Sequence, residues 1–364
     1  MTSPTTTTPP SPEPPPSLIP NLPDDISIQC LARIPRDHHT TLTLVSKHWK
    51  STIRSQHLFH TRSLLNITQH SLYLNIRHNT SFKWFHLHLP NSPFHKTLIQ
   101  TLPSIPFQPV GPAYAVLGPN IYVLGGSVKD VPTNDVWVLD CRINEWVSGP
   151  KMRVGREFAA SGVVGGKVYV MGGCLVDNRI KAVNWAEKYD PNVGVWSGVG
   201  SEGVECRDKW MHASAVLDGR VYAMADRGGV VYDVGEGEWG KVPKRLDLGW
   251  RGRAAVVNGV LYCYDYLGKI RGYDVEKDVW KELRGVEKGL PKFLCGAAMV
   301  DLGGRLCVVW ERKDSGGKGV DVMCAVIEVG KDEDGGLSGE ISWVDAILSV
   351  PVGSSILHCM AVAL

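Results

Sequence analysis

No run in this 364-residue sequence approaches the roughly 18 consecutive apolar residues that a membrane-spanning helix needs, so no membrane partner is expected. Met1 to Pro20 has neither a basic n-region nor an apolar h-region, and no secretory leader is expected there. The nine cysteines are odd in number and scattered, and none is spaced as CxxC. They read as small buried hydrophobes in a reducing compartment rather than as a disulfide framework or a zinc site. HExxH, GxSxG and P-loop patterns are missing, so no catalytic residue and no cofactor are expected. Net charge is only +2 and polybasic clusters are lacking, which argues against nucleic acid as a partner.

The hydrophobic share of 43% and a mean hydropathy near zero (−0.08) describe a globular protein with a sizeable core, and the length favours two domains. Charge divides unevenly. Residues 1–110 carry nine Lys/Arg against four Asp/Glu, and the remainder 30 against 33. Residues 1–20 hold eight of the 23 prolines and five threonines, too little apolar surface to offset ordering entropy, so a disordered tail is expected over 1–20.

From Asn21 the pattern turns helical. Leu22-Pro23-Asp24-Asp25 supplies a proline at a helix start and acidic residues for its positive dipole end. Ile26, Cys30, Leu31 and Ile34 follow at helical spacing, and Pro35 stops the run. Leu42, Val45, Trp49 and Ile53 predict a second helix. Two such helices are too small to hold a core alone and need a partner, either the following domain or another chain.

Beyond residue 65 the period becomes that of strands, as in Leu72 to Ile76 and Trp84 to Leu89. A repeat then emerges. Asp is followed six residues later by Trp at Asp140/Trp146, Asp190/Trp196, Asp233/Trp239 and Asp274/Trp280, with Trp intervals of 50, 43 and 41. Between these pairs recur strands with a central Tyr, such as Gly166-Lys167-Val168-Tyr169-Val170, and the first two copies end in Gly125-Gly126 and Gly172-Gly173. That period fits the blade of a β-propeller, in which twisted sheets stack their faces around an axis.

These marks resemble the kelch repeat over roughly residues 110–345. The likeness is strong in the first two copies and degraded later, where Ala225-Asp226, Tyr264-Asp265 and Trp310-Glu311 replace the glycines and Lys331 to Glu340 forms an insertion. Five copies are visible, and Trp84 upstream offers a sixth hairpin. Leu357 to Leu364 matches the start of another blade, so we expect a mainly β fold with a six-bladed propeller over 68–364, closed by both chain ends. Five blades with a separate N-terminal hairpin is the alternative.

With a propeller behind it, the helical segment resembles an F-box, on Leu22-Pro23-Asp24-Asp25, Ile34-Pro35 and Val45-Ser46-Lys47-His48-Trp49. It departs from the family pattern at Ser27-Ile28, which replaces a leucine pair. The resemblance implies a small all-α domain over 21–62. In it Leu22, Pro23, Ile26, Leu31, Ile34, Val45 and Trp49 pack on a Skp-type adaptor or on each other, and the adaptor joins a cullin-RING ligase. The implied role is that of a non-catalytic substrate-recognition component of an SCF-type (Skp-cullin-F-box) ubiquitin ligase, acting in cytoplasm, nucleus or both. A propeller that is itself an enzyme or small-molecule receptor, with incidental helices, is the alternative.

Propeller loops converge at the mouths of the central channel. Ahead of the small-residue strands stand Arg156, Trp210 with His212, Trp250 with Arg251 and Arg253, and Lys292 with Phe293. As a rim they would suit an acidic or phosphorylated protein substrate. The alternative is that Trp210 and Trp250 pack between blades while the arginines face water. His86 and His88 share a strand face, but such pairs are more often packed or solvated than metal ligands, and no metal is expected.

Overall fold

A computed structural model describes residues 17–88, 98–106, 108–174, 184–201, 204, 210–226, 228–265, 267–294, 296–313, 316, 319–332 and 334–364. The chain forms two compact units, Met1–Gln69 and His70–Leu364. Two cysteines, Cys206 and Cys295, lie outside the described residues; of the others, Cys30 is exposed and six are buried as free thiols.

In the first unit, helix α1 spans Asp24–Ala32 and starts behind Pro23, with Asp24 and Asp25 in its first turn. Ser27 is turned inward, its hydroxyl donating to the Pro23 carbonyl at 3.1 Å. A 3-10 turn, Arg36–His38, leads into the short α2, His39–Leu42. The helix predicted from Leu42 to Ile53 is broken. Thr43 bonds back to the Thr40 carbonyl at 2.7 Å, and Ser46 caps a new helix, α3 (Lys47–Ile53), by accepting from the Trp49 amide at 3.0 Å. Hydroxyl side chains that compete for the local backbone override an apolar period this short. A further helix, α4 (Gln56–Leu64), capped by Ser55, completes the unit.

The helices enclose Leu18, Leu31, Ala32, Ile53 and Leu58, with Ile34, Leu42 and Trp49 packed around them. Leu18 corrects the expected tail boundary. Residues 1–16 of that tail lie outside the described residues, but Leu18 is buried and its carbonyl accepts from the Trp49 indole at 2.8 Å. It belongs to the core because its side chain packs with Leu31, Ala32, Ile53 and Leu58 while its carbonyl is held by Trp49.

So small a core is tied by a buried cation. Arg62 on α4 donates to the carbonyls of Ala32 (2.6 Å), Ile34 (2.9 Å) and Ile67 (3.1 Å) and to Gln69 Oε1 (3.0 Å). It thereby satisfies carbonyls left open at the negative end of α1. Burial and the neighbouring Arg36 lower its pKa to about 10. His39 sits in the same field. Burial, then Arg36 and Arg62, push its pKa down to about 4, so its ring is neutral and donates from Nε2 to the Ile34 carbonyl at 3.2 Å.

Among the described residues the second unit consists of six four-stranded blades, two of them joined through their outer strands into one eight-stranded sheet, and a two-stranded ribbon of Ser127–Val128 with Val131–Pro132. From inside outwards, blade 1 is Ala113–Leu117, Asn120–Leu124, Val136–Asp140 and Glu145–Ser148. Blade 2 is Ala160–Val164, Lys167–Met171, Ala186–Asp190 and Val195–Val199. Blade 3 is Ala213–Leu217, Arg220–Met224, Gly229–Asp233 and Glu238–Lys241. Blade 4 is Ala255–Val257, Val260–Tyr264, Ile270–Asp274 and Val279–Arg284. Blade 5 is Ala298–Asp301, Leu306–Lys313, Gly319–Lys331 and Leu337–Pro351. Blade 6 places the C-terminal strand Ser354–Ala363 inside, against His70–His78, Ser81–His88 and Leu98–Thr101. Successive inner strands touch in a closed cycle, so the ring is sealed by both chain ends.

Each repeat Trp works as a peg between blades. The indole N–H groups of Trp146, Trp196, Trp239 and Trp280 donate to the carbonyls of Pro103, Pro150, Gly200 and Arg245, each at or beyond the end of the preceding blade's outer strand. In blades 2 to 4 the repeat Tyr lies directly across the hairpin from its Trp, as in Tyr189↔Trp196. The apolar cores accordingly form between sheets, for example Val136, Met152 and Tyr122 of blade 1 with Val168, Val170 and Trp196 of blade 2.

The paired glycines end the second strand of blades 1 and 2. Gly125, Gly126, Gly172 and Gly173 all have positive φ, and a Cβ on Gly173 would run into the Glu157 carbonyl. In blade 5, where the pair is missing, the second strand does not stop. Trp310 and Glu311 continue it, pairing with Met323 and Val322. The insertion at 331–340 lengthens the next hairpin, Lys331 pairing with Leu337, and its outer strand pairs in parallel with Leu283 and Arg284 of blade 4. Two outer edges are thereby joined.

Candidate functional site

The six inner strands begin with small residues, which leaves room on the axis. A cavity of about 500 Å³ lies there, and every blade contributes to its wall: Tyr114, Ser161, Ser214, Ala254, Met299 and His358 in turn. Phe158, His212 and Arg77 line its exposed part. Phe158 adopts a left-handed conformation with φ +51°, held by its amide donating to the Gly111 carbonyl at 2.6 Å, and Trp210 lies against it at 5.4 Å between ring centroids. Trp210 is half exposed, 51%, and its indole donates to Glu157 at 3.4 Å.

The electrostatics of the cavity are one-sided. Among the described residues its wall carries Arg77, Arg253, His212 and His358 and no carboxylate. Arg253 is half-buried and donates to the Ile356 carbonyl at 3.2 Å; burial lowers its pKa. Glu311, the carboxylate in its field, is engaged by the Ile356 amide at 2.6 Å and forms no ion pair with it. Burial, then Arg253, drives the His358 pKa down to about 4. Its Nδ1 donates to the Cys359 carbonyl at 3.2 Å, and its ring meets Tyr114 edge-on at 4.4 Å. Burial raises the Tyr114 phenol to about 12, although Asn75 donates to it at 3.0 Å.

The expected rim residues separate. His212 and Arg253 line the cavity, Trp210 stands beside it, and Arg251, Lys292 and Phe293 are exposed in neighbouring loops. Arg156 and Trp250 are corrected to structural roles, since both are fully buried. Arg156 donates to the carbonyls of Gly172, Asn184 and Trp185 and pairs with Glu187 at 2.9 Å, so it rivets blade 1 to blade 2. Trp250 fills the core between blades 3 and 4. His86 is buried and stacked on Tyr73 at 4.5 Å, and no group of three or more metal-ligating side chains exists among the described residues. Sequence reasoning missed Arg77, Tyr114 and His358. Blade 6 supplies Arg77 and His358 from opposite ends of the chain.

The helical unit offers a second surface. Leu44 is 82% exposed and Val45 60%, both in the turn that breaks the predicted helix, and Ile26 and Pro23 are exposed at the start of α1. Leu22 is half-buried. Leu31, expected among the adaptor-binding residues, is corrected to the core at 1% exposure; Ile34 and Trp49 pack against that core.

Comparison with known proteins matches the F-box domain over residues 19–61 and the FKB95 kelch-repeats domain over residues 84–348. The chain belongs to the F-box/kelch-repeat family. It is 37% identical to F-box/kelch-repeat protein At4g39550 of Arabidopsis thaliana, over 98% of this chain and 97% of that one. Against F-box/kelch-repeat protein At4g39580 of the same plant it is 31% identical, over 95% and 96%. A solved structure described as "Structure of YjhT" shares the propeller fold at TM-score 0.50 and 14% identity, covering 74% of this chain and 96% of that one. Neither matched family model is that of an enzyme family. The F-box and kelch modules thus coincide with the helical unit and the ring of sheets.

Proposed function

We propose that this F-box/kelch chain is the substrate-recognition subunit of an SCF-type ubiquitin ligase, working in the cytosol, the nucleus or both. The exposed pair Leu44 and Val45 carries this reading. Two large apolar side chains left in water on a unit with so small a core favour a helical partner that covers them. F-box domains bind Skp-type adaptors, and such an adaptor links the chain to a cullin scaffold. The kelch mouth with Trp210, Phe293, Lys292 and Arg251 would then hold a protein, and its cations favour an acidic or phosphorylated one. The chain contributes position rather than chemistry.

Co-purification with a Skp-type adaptor tests the reading. Wild-type chain should retain adaptor, and the double substitution Leu22→Ala, Pro23→Ala should lose it with the propeller still folded. Wild-type chain that retains no adaptor would end the proposal.

A further inference from the structure

The axial cavity differs from the rim above it. A folded partner can reach Trp210, Phe293 and Lys292, but 500 Å³ walled by six inner strands admits only something small. That volume lies in the range of pockets for small organic molecules, roughly 300–1,000 Å³. Its wall mixes apolar faces (Phe158, Met211, Met299, Leu357) with one half-buried guanidinium. Arg253 uses a single carbonyl, that of Ile356, and its fork has donors to spare. A half-buried cation facing a wall that carries no carboxylate among the described residues is compensated when an anion enters.

We propose that the propeller channel is a binding site for a small organic anion, a carboxylate joined to an apolar or aromatic body, with Arg253 as its anchor. The carboxylate accepts from the Arg253 guanidinium, and the body lies against Tyr114, Phe158 and Met299. His358 is held neutral beside Arg253, so it adds no second positive charge and the site suits one negative charge. The site does not depend on the helical unit or on adaptor docking, so failure of either proposal leaves the other standing.

The test uses the full chain and three probes: phenylacetate, its uncharged counterpart phenylacetamide, and inorganic phosphate. Binding of the two organic probes is monitored by ligand-observed saturation-transfer NMR, and binding of phosphate by its displacement of phenylacetate in the same experiment. Phenylacetate should bind wild-type chain at least about tenfold more tightly than the amide, the factor expected for one charge-assisted hydrogen-bonded pair. It should also bind more tightly than phosphate, which lacks the body. Arg253→Met should remove the preference for carboxylate over amide, and Arg253→Lys should restore part of it. Because Arg253 also holds the Ile356 carbonyl, Ala254→Phe serves as a second variant that fills the cavity and keeps the charge; it should abolish phenylacetate binding. Equal binding of acid and amide, phosphate binding as well as phenylacetate, no binding of any probe, or unchanged binding by either Arg253→Met or Ala254→Phe would each overturn the proposal.

Discussion

The two units solve the same problem in opposite ways. The propeller spreads its stability over cores between successive blades and over indole pegs that repeat around the ring. The F-box packs a handful of side chains around Leu31 and Leu58 and depends on one arginine for the carbonyls that its helix ends leave open. The propeller turns its repeat residues inward. The F-box, with little apolar surface to spare, nevertheless leaves Leu44 and Val45 in water. Exposed apolar side chains on so small a unit are what the proposed adaptor would cover, whereas the ring packs its repeat residues between its own blades.

The comparison can be broken most severely at the rivets. Arg156→Met leaves Glu187 buried without its cation, and the propeller should lose about 3–5 kcal/mol of stability. Chemical denaturation monitored through tryptophan fluorescence reads this loss, and adaptor binding should survive it. Arg62→Met removes donors from three carbonyls in the F-box and should cost about 2–4 kcal/mol. Hydrogen exchange should show that loss confined to residues 17–69. If Arg62→Met loosens the propeller as much as the F-box, the units are not separately stabilised.

Acid sharpens the contrast. The folded F-box holds His39 at a pKa of about 4 against 6.5 for a free histidine, so the unfolded chain binds the extra proton. The associated stability is complete above pH 6.5 and is lost as pH falls towards 4, on the order of 3 kcal/mol in all. Burial and Arg253 depress His358 as well, so the propeller weakens over the same window, but its larger core should keep it folded after the F-box has melted. Circular dichroism at helical and strand wavelengths along a pH series separates the two. At the small end, Trp280→Phe keeps an aromatic ring opposite Tyr273 but loses the N–H bond to the Arg245 carbonyl and part of the indole's packing, costing about 1–2 kcal/mol in thermal unfolding.

The ring was legible in the sequence because a strand period of two and a Trp every 41 to 50 residues both report on stacking that repeats. Closure by both ends could be read from Trp84 and the C-terminal strand, and the structure builds blade 6 from them. The cavity was legible only in part. An arginine ahead of a small-residue strand looks the same whether it faces the channel, as Arg253 does, or the next blade. Arg156 is decided by Glu187, 31 residues away, and by carbonyls that carry no sequence signal. His358 and Arg77 line one cavity only because the ring closes. In the F-box, apolar spacing concealed the Ser46 cap, and with it the exposure of Val45.

The most direct measurement is the affinity of the full chain for a purified Skp-type adaptor, before and after Leu44→Asp with Val45→Asp. Both side chains are exposed, so the unfolding midpoint should move little, while adaptor binding should fall at least about a hundredfold through loss of two buried apolar contacts. Unchanged affinity in a folded double variant would contradict the account.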